Sequence, residues 1–157
     1  MSPWLLILLV NAMAGGNGAD GTEINIAQIA GSYEQPASRC ATNDAQVAST
    51  CLEGATDRLV VQYLSDTHAR IIVHSHQLGG HQCHADGVAS ITPAGLTHCP
   101  ESDPGTCLVL TQHEDQLRFK VTMEGDFYVP FCGARATLDG LVIDRRARFP
   151  STPCPRD

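Results

Sequence analysis

Leu117, Phe119, Val121 and Met123 alternate with Arg118, Lys120 and Thr122. That period of two is the mark of a strand with one face buried. The pattern recurs along the chain between turn-forming residues. Arg58–Leu64 reads as a strand, and Ser65-Asp66-Thr67 as its turn. Strands over His68–His76 and His81–Ile91 follow, then a turn at Thr92–Gly95 and a short strand at Leu96–Cys99. Pro100–Gly105 is a loop by its Pro, Asp and Gly content. Cys107–Gln112 and Gln116–Met123 make a hairpin across His113-Glu114-Asp115. Phe127–Leu138 and Leu141–Ile143 flank Asp139-Gly140, a strong hairpin signal. Ile24, Ile26 and Ile29 suggest a short first strand.

About seven to nine short strands without a long helical period predict an all-β fold: a small antiparallel meander closing into a barrel or sandwich. The barrel is preferred because closure removes exposed strand edges. A chain of 157 residues supports one such domain with a real core.

The ends of the chain divide differently. Residues 1–14 are an apolar run followed by Ala12-Met13-Ala14, a small-x-small cleavage pattern, and read as a signal peptide. The run is shorter than the roughly 20 residues a membrane span needs, so no stable membrane span is expected. Residues 15–30 read as a flexible leader, 31–145 as a single β domain, and 146–157 as a Pro-rich basic tail. Export implies a periplasmic or secreted protein in an oxidising compartment.

Seven cysteines fit that compartment. Cys40, Cys51, Cys83, Cys99, Cys107 and Cys132 are the disulfide candidates; six cysteines allow 15 pairings, so their connectivity stays open. Cys154 is the candidate for the odd thiol, with Cys83 the alternative. A net charge of −7 argues against nucleic acid and favours a basic partner. Protonating all seven histidines would cancel it, so surface properties should change between about pH 7 and 5.

The chemistry concentrates in Arg70–Gly87, where His74, His76, His81 and His84 accompany Cys83. A two-residue turn at Gly79-Gly80 would set Leu78 opposite His81 and His76 opposite Cys83. His74, His76, His81 and Cys83 would then share one face, with opposed Cβ atoms roughly 4.5–5.5 Å apart. Three imidazoles and a thiolate so placed suit Zn or Cu; no other cofactor is implied. A one-residue slip would send half of the set to the other face. The competing reading is a polar hairpin surface with Cys83 in an ordinary disulfide.

No enzymatic motif emerges. His84, Asp86 and Ser90 lack the context of a nucleophile elbow. Cys83 beside His81 or His84 lacks an orienting third group. Glu53 with Asp57, or Asp115 with Glu124, have only the residue types of a glycosidase pair.

Cys132-Gly-Ala-Arg-Ala-Thr-Leu-Asp-Gly140, with Gly79-Gly-His-x-Cys83 and Cys107-Leu-x-Leu110, resembles a set of small exported proteobacterial β proteins. Such proteins are grouped loosely with periplasmic lysozyme inhibitors, themselves small disulfide-bonded barrels. The resemblance implies a non-enzymatic envelope protein whose partner is a basic protein such as lysozyme. The Ser-Gly-x-x-Tyr signature of c-type lysozyme inhibitors is not found; Gly31-Ser32-Tyr33 departs from it, and no inhibitory residue carries over. In the resembling set a cysteine often lies four residues before the Cys-Gly-Ala-Arg motif. Tyr128 stands there, which leaves Cys107 or Cys132 without the partner the resemblance implies.

Arg135 and Tyr128 are the candidate partner-binding residues. Arg135 is expected to contact a partner or a carboxylate or, in the favoured reading, to be a structural cation that pairs with Asp139 or caps the barrel end. A periplasmic Zn- or Cu-binding protein and a structural envelope component are the alternative functions.

Overall fold

The computed structural model describes residues 24–37, 54–124, 131–133 and 136–149, apart from the side chain of Leu78. The expected signal peptide, Cys40, Cys51, Cys154, Tyr128 and Arg135 lie outside the described residues. No helix among those residues is long and apolar enough to cross a membrane.

Nine strands among the described residues form one antiparallel sheet: β1 (Gly31–Pro36), β2 (Thr56–Ser65), β3 (His68–His76), β4 (Gln82–Thr92), β5 (Gly95–His98), β6 (Thr106–His113), β7 (Gln116–Met123), β8 (Val142–Asp144) and β9 (Arg148–Phe149). Sequential neighbours pair from β1 through β8, and β9 returns to pair with β1. The sheet is thus nearly closed into a barrel, the all-β architecture the alternation predicts.

A side chain helps to close it. The Gln35 carboxamide on β1 donates from Nε2 to the Val142 carbonyl at 2.8 Å. Its Oε1 accepts the Asp144 amide at 3.0 Å. One amide side chain stands in for a backbone ladder between β1 and β8, satisfying groups that a sheet edge would leave open.

The meander alternates as expected. Ala69, Ile71, Val73 and Ser75 of β3 point inward; His68, Arg70 and His74 are exposed. Leu59, Val61, Leu96, Leu108, Leu110 and Leu117 add to an interior filled by side chains, as small barrels require. Burying each such leucine or valine is worth about 1.5–3 kcal/mol, before the entropy of ordering the chain is subtracted.

Several expectations are corrected. The isoleucines at the start form a single helical turn, α1 (Ile26–Ile29), not a strand. Ile26 and Ile29 stand three residues apart, on the same side of a helix, and both are buried. Asn25 caps the turn by accepting the Gln28 amide at 3.3 Å. The Tyr33 hydroxyl donates to the Ile29 carbonyl at 2.7 Å, and burial pushes the Tyr33 pKa up. Residues 24–30 therefore belong to the domain and not to a flexible leader.

The tail is corrected likewise. Arg148 and Phe149 pair with Tyr33 and Ser32, and the Arg148 guanidinium donates to the Ala30 carbonyl. The domain thus runs through Phe149.

The hairpin expected across Asp139-Gly140 is absent among the described residues: β8 pairs with β7. Residues 138–141 instead run beside β7. Phe119 donates its amide to the Leu141 carbonyl at 2.8 Å, Gly140 donates to the Phe119 carbonyl at 2.9 Å, and the Asp139 carboxylate accepts the Val121 amide at 3.0 Å. The alternation of β7 also fades at its end, where Met123 is 51% exposed, because Met123 pairs with Thr106 at the open end of the barrel.

Candidate functional site

The β3–β4 hairpin turns through a three-residue loop. The Gln77 amide donates to the His81 carbonyl at 2.8 Å, enclosing the 3-10 turn Leu78–Gly80. Gly79 and Gly80 take φ of 74° and 75°, the left-handed conformation expected of them. The loop is one residue longer than expected, so the register becomes His76↔Gln82, Ser75↔Cys83 and His74↔His84. A slip of one residue turns every side chain of the strand over. Cys83 therefore points inward and is 1% exposed. His81 precedes β4 on the parity of Cys83. The expected set of His74, His76, His81 and Cys83 is not brought together.

Cys83 is bonded to Cys132 and Cys99 to Cys107. An oxidised sulfur is not a thiolate ligand, so Cys83 is removed from the metal set. Cys107 and Cys132, one or the other of which the resemblance leaves without its partner, are both bonded. Gln77 lies buried against the first bridge. Its Nε2 donates to the Thr137 carbonyl at 2.6 Å, and its Oε1 accepts the Thr137 amide at 3.2 Å. This clasp repeats the device of Gln35 at another seam. Beside the bridge, the His84 amide donates to the Phe131 carbonyl at 2.6 Å and the Gly133 amide to the Gln82 carbonyl at 3.2 Å.

The register assembles a different row on the outer face. Glu34, Arg58, His74 and His84 stand directly opposite one another across β1, β2, β3 and β4. Glu34 pairs with Arg58 at 2.7 Å. The His74 and His84 rings lie 4.2 Å apart, centre to centre, tilted by 34°. Partial burial, then the neighbouring His84, His76 and Arg58, hold the His74 pKa below its ordinary value. One row along, Arg70 grips Asp86 with two bonds of 2.8 Å and holds its carboxyl below the usual carboxylate range. His76 bonds the Thr56 carbonyl through Nδ1 at 2.9 Å. Among the described residues, no three histidine, cysteine or carboxylate side chains converge on a point a metal ion could occupy.

A second surface lies at the open end of the barrel. The Cys99–Cys107 bridge spans the loop between β5 and β6. Two turns order that loop: Asp103 donates its amide to the Pro100 carbonyl at 3.1 Å, and Thr106 donates to the Asp103 carbonyl at 3.2 Å. The Glu124 amide donates to the Gly105 carbonyl at 2.8 Å, so the end of β7 is tied to the same loop. Glu101 and Glu124 are exposed, Asp103 is half-buried, and the exposed Met123 ends β7 next to Glu124, paired with Thr106. Among the described residues, the ion pairs use Glu34, Asp86 and Asp144 and none of these three carboxylates. The sequence showed this segment as a loop; it did not show that Cys99 and Cys107 bond to each other across it, or that Glu124 joins it.

Of the carboxylate pairs weighed for glycosidic chemistry, Glu53 with Asp57 falls outside the described residues through Glu53, and Asp115 with Glu124 does not meet. Asp115 precedes β7 and Glu124 follows it, so an eight-residue strand of about 26 Å separates them. An inverting pair needs roughly 6.5–9.5 Å. His84 and Ser90, six positions apart on β4, are likewise about 20 Å apart.

Comparison with protein-family models, curated proteins and solved structures finds no match for this chain.

Proposed function

We propose that the chain is an exported, non-catalytic binding protein of the bacterial envelope, periplasmic or secreted, that engages a basic protein partner. The observation that carries this reading is the acidic end of the barrel. Glu101 and Asp103 lie on a loop bonded at its base by Cys99–Cys107, and the exposed Met123 and Glu124 stand at the end of β7 that is tied to that loop. An ordered loop loses less conformational freedom on binding, and an apolar side chain rimmed by charge suits a protein contact. The net charge of −7 adds long-range attraction for a cationic partner.

Two further features support it. The interior is filled by side chains, which directs recognition to the outer surface. Disulfides fit an oxidising compartment. Lysozyme is the concrete basic partner that the resemblance of Cys132–Gly140 implies, and Arg135 and Tyr128 remain candidate contacts.

The test measures association with a c-type lysozyme by biolayer interferometry, alongside lysis of bacterial cell walls. The reading expects a saturable complex and slowed lysis. It also expects a triple variant, Glu101→Gln, Asp103→Asn and Glu124→Gln, to associate about tenfold more slowly or worse, with weaker salt dependence. A complex formed equally well by the triple variant would overturn the acidic loop as the contact. No complex at about 100 μM, corresponding to about −5.5 kcal/mol, would remove lysozyme as the partner.

A further inference from the structure

The histidine pair on the outer face is a separate feature that partner binding does not use. His74 and His84 are direct cross-strand neighbours in a regular stretch of ladder, so their backbones are fixed by the sheet. Their rings lie 4.2 Å apart. Two imidazoles bound to one tetrahedral ion at 2.0–2.1 Å hold their donor nitrogens about 3.3 Å apart. Ring centres 4.2 Å apart bring that separation within reach of side-chain rotation alone.

The two arginines nearby oppose a cation less than their number suggests. Arg58, directly opposite His74, is paired with Glu34 at 2.7 Å. Arg70 is paired with Asp86 through two bonds. Both guanidinium charges beside the pair are thereby offset. Partial desolvation and the neighbouring His84, His76 and Arg58 disfavour the imidazolium at His74, which keeps its ring in the neutral form a metal requires.

We propose that His74 and His84 form a surface site for one borderline divalent transition metal ion, Zn(II) or Cu(II), with water completing the coordination. Imidazole nitrogen suits both ions. Of the expected set only His74 is kept, and His84, which the three-residue loop brings opposite it, takes the place of His76, His81 and Cys83. The site is distinct from the acidic loop and does not depend on it.

The experiment uses the full chain with its disulfides intact, titrated with ZnCl2 and separately with CuCl2 by calorimetry in a non-coordinating buffer near neutral pH. Histidine ring signals are followed by NMR in the Zn(II) titration. Expected is one ion per chain, with the His74 and His84 ring signals shifting together. His74→Ala and His84→Ala should each weaken binding about tenfold or more, and His81→Ala should leave it unchanged. Both ligand positions are exposed, so these variants should keep the wild-type circular dichroism spectrum. Absence of binding heat with both ions, or wild-type affinity in His84→Ala, overturns the proposal. Shifts confined to other histidine rings overturn it on the wild-type chain alone.

Discussion

Removing the Cys83–Cys132 bridge should destabilise the barrel more than removing Cys99–Cys107. The two bridges span 49 and 8 residues. If a cross-link acts by restricting the unfolded chain, its contribution grows with the logarithm of the loop it closes. The longer bridge is then worth about 4 kcal/mol and the shorter about 2.5 kcal/mol at 25 °C. Against a total stability of about 5–15 kcal/mol for a domain, the longer one decides whether the chain stays folded on warming. Its removal would also loosen the bonds from His84 to Phe131 and from Gly133 to Gln82, which adds to the gap.

The assay is urea unfolding of Cys83→Ala/Cys132→Ala and Cys99→Ala/Cys107→Ala, followed by far-ultraviolet circular dichroism. Alanine avoids placing a hydroxyl at the buried Cys83. The difference between the two variants should be about 1.6 kcal/mol or more. An equal or larger loss in the Cys99/Cys107 variant, at comparable denaturant slopes, would refute the reasoning.

Two further outcomes follow from the site geometry. Gln77→Leu deletes both bonds to the half-buried Thr137 backbone and leaves its amide and carbonyl without the buried Gln77 partner, so it should cost about 1–3 kcal/mol in the same unfolding assay; unchanged stability would show that water replaces the clasp. His74 has a folded-state pKa below its ordinary 6.5, so the unfolded chain takes up its proton first. Its contribution to stability is present above about pH 6.5 and is lost as pH falls through the lowered value. His74→Gln should flatten the melting temperature between about pH 6.5 and 5, and a slope steeper than wild type would contradict the sign.

Much of the sheet could be read from side-chain alternation, as β3 and β7 show, because one buried face imposes a period of two. The seams could not. Gln35 and Gln77 look like ordinary polar residues in sequence, yet each closes an edge by acting as a backbone mimic. The histidine face failed by one residue: Gly79-Gly80 fits a two-residue turn, but Leu78 joins the loop and Cys83 turns inward. Ile24, Ile26 and Ile29 suit either a strand or one helical turn; the spacing of Ile26 and Ile29 together with the Asn25 cap selects the helix. Asp139-Gly140 does make a turn, but its second arm pairs with β7, a distant partner that no local pattern identifies.

Hydrogen–deuterium exchange of the chain with and without a c-type lysozyme tests the central claim most directly. The account predicts slowed exchange at Glu101–Gly105 and Met123–Glu124, with the β3–β4 face unchanged. Protection on the His74–His84 face instead, or no protection at the acidic end in a saturated complex, would contradict it.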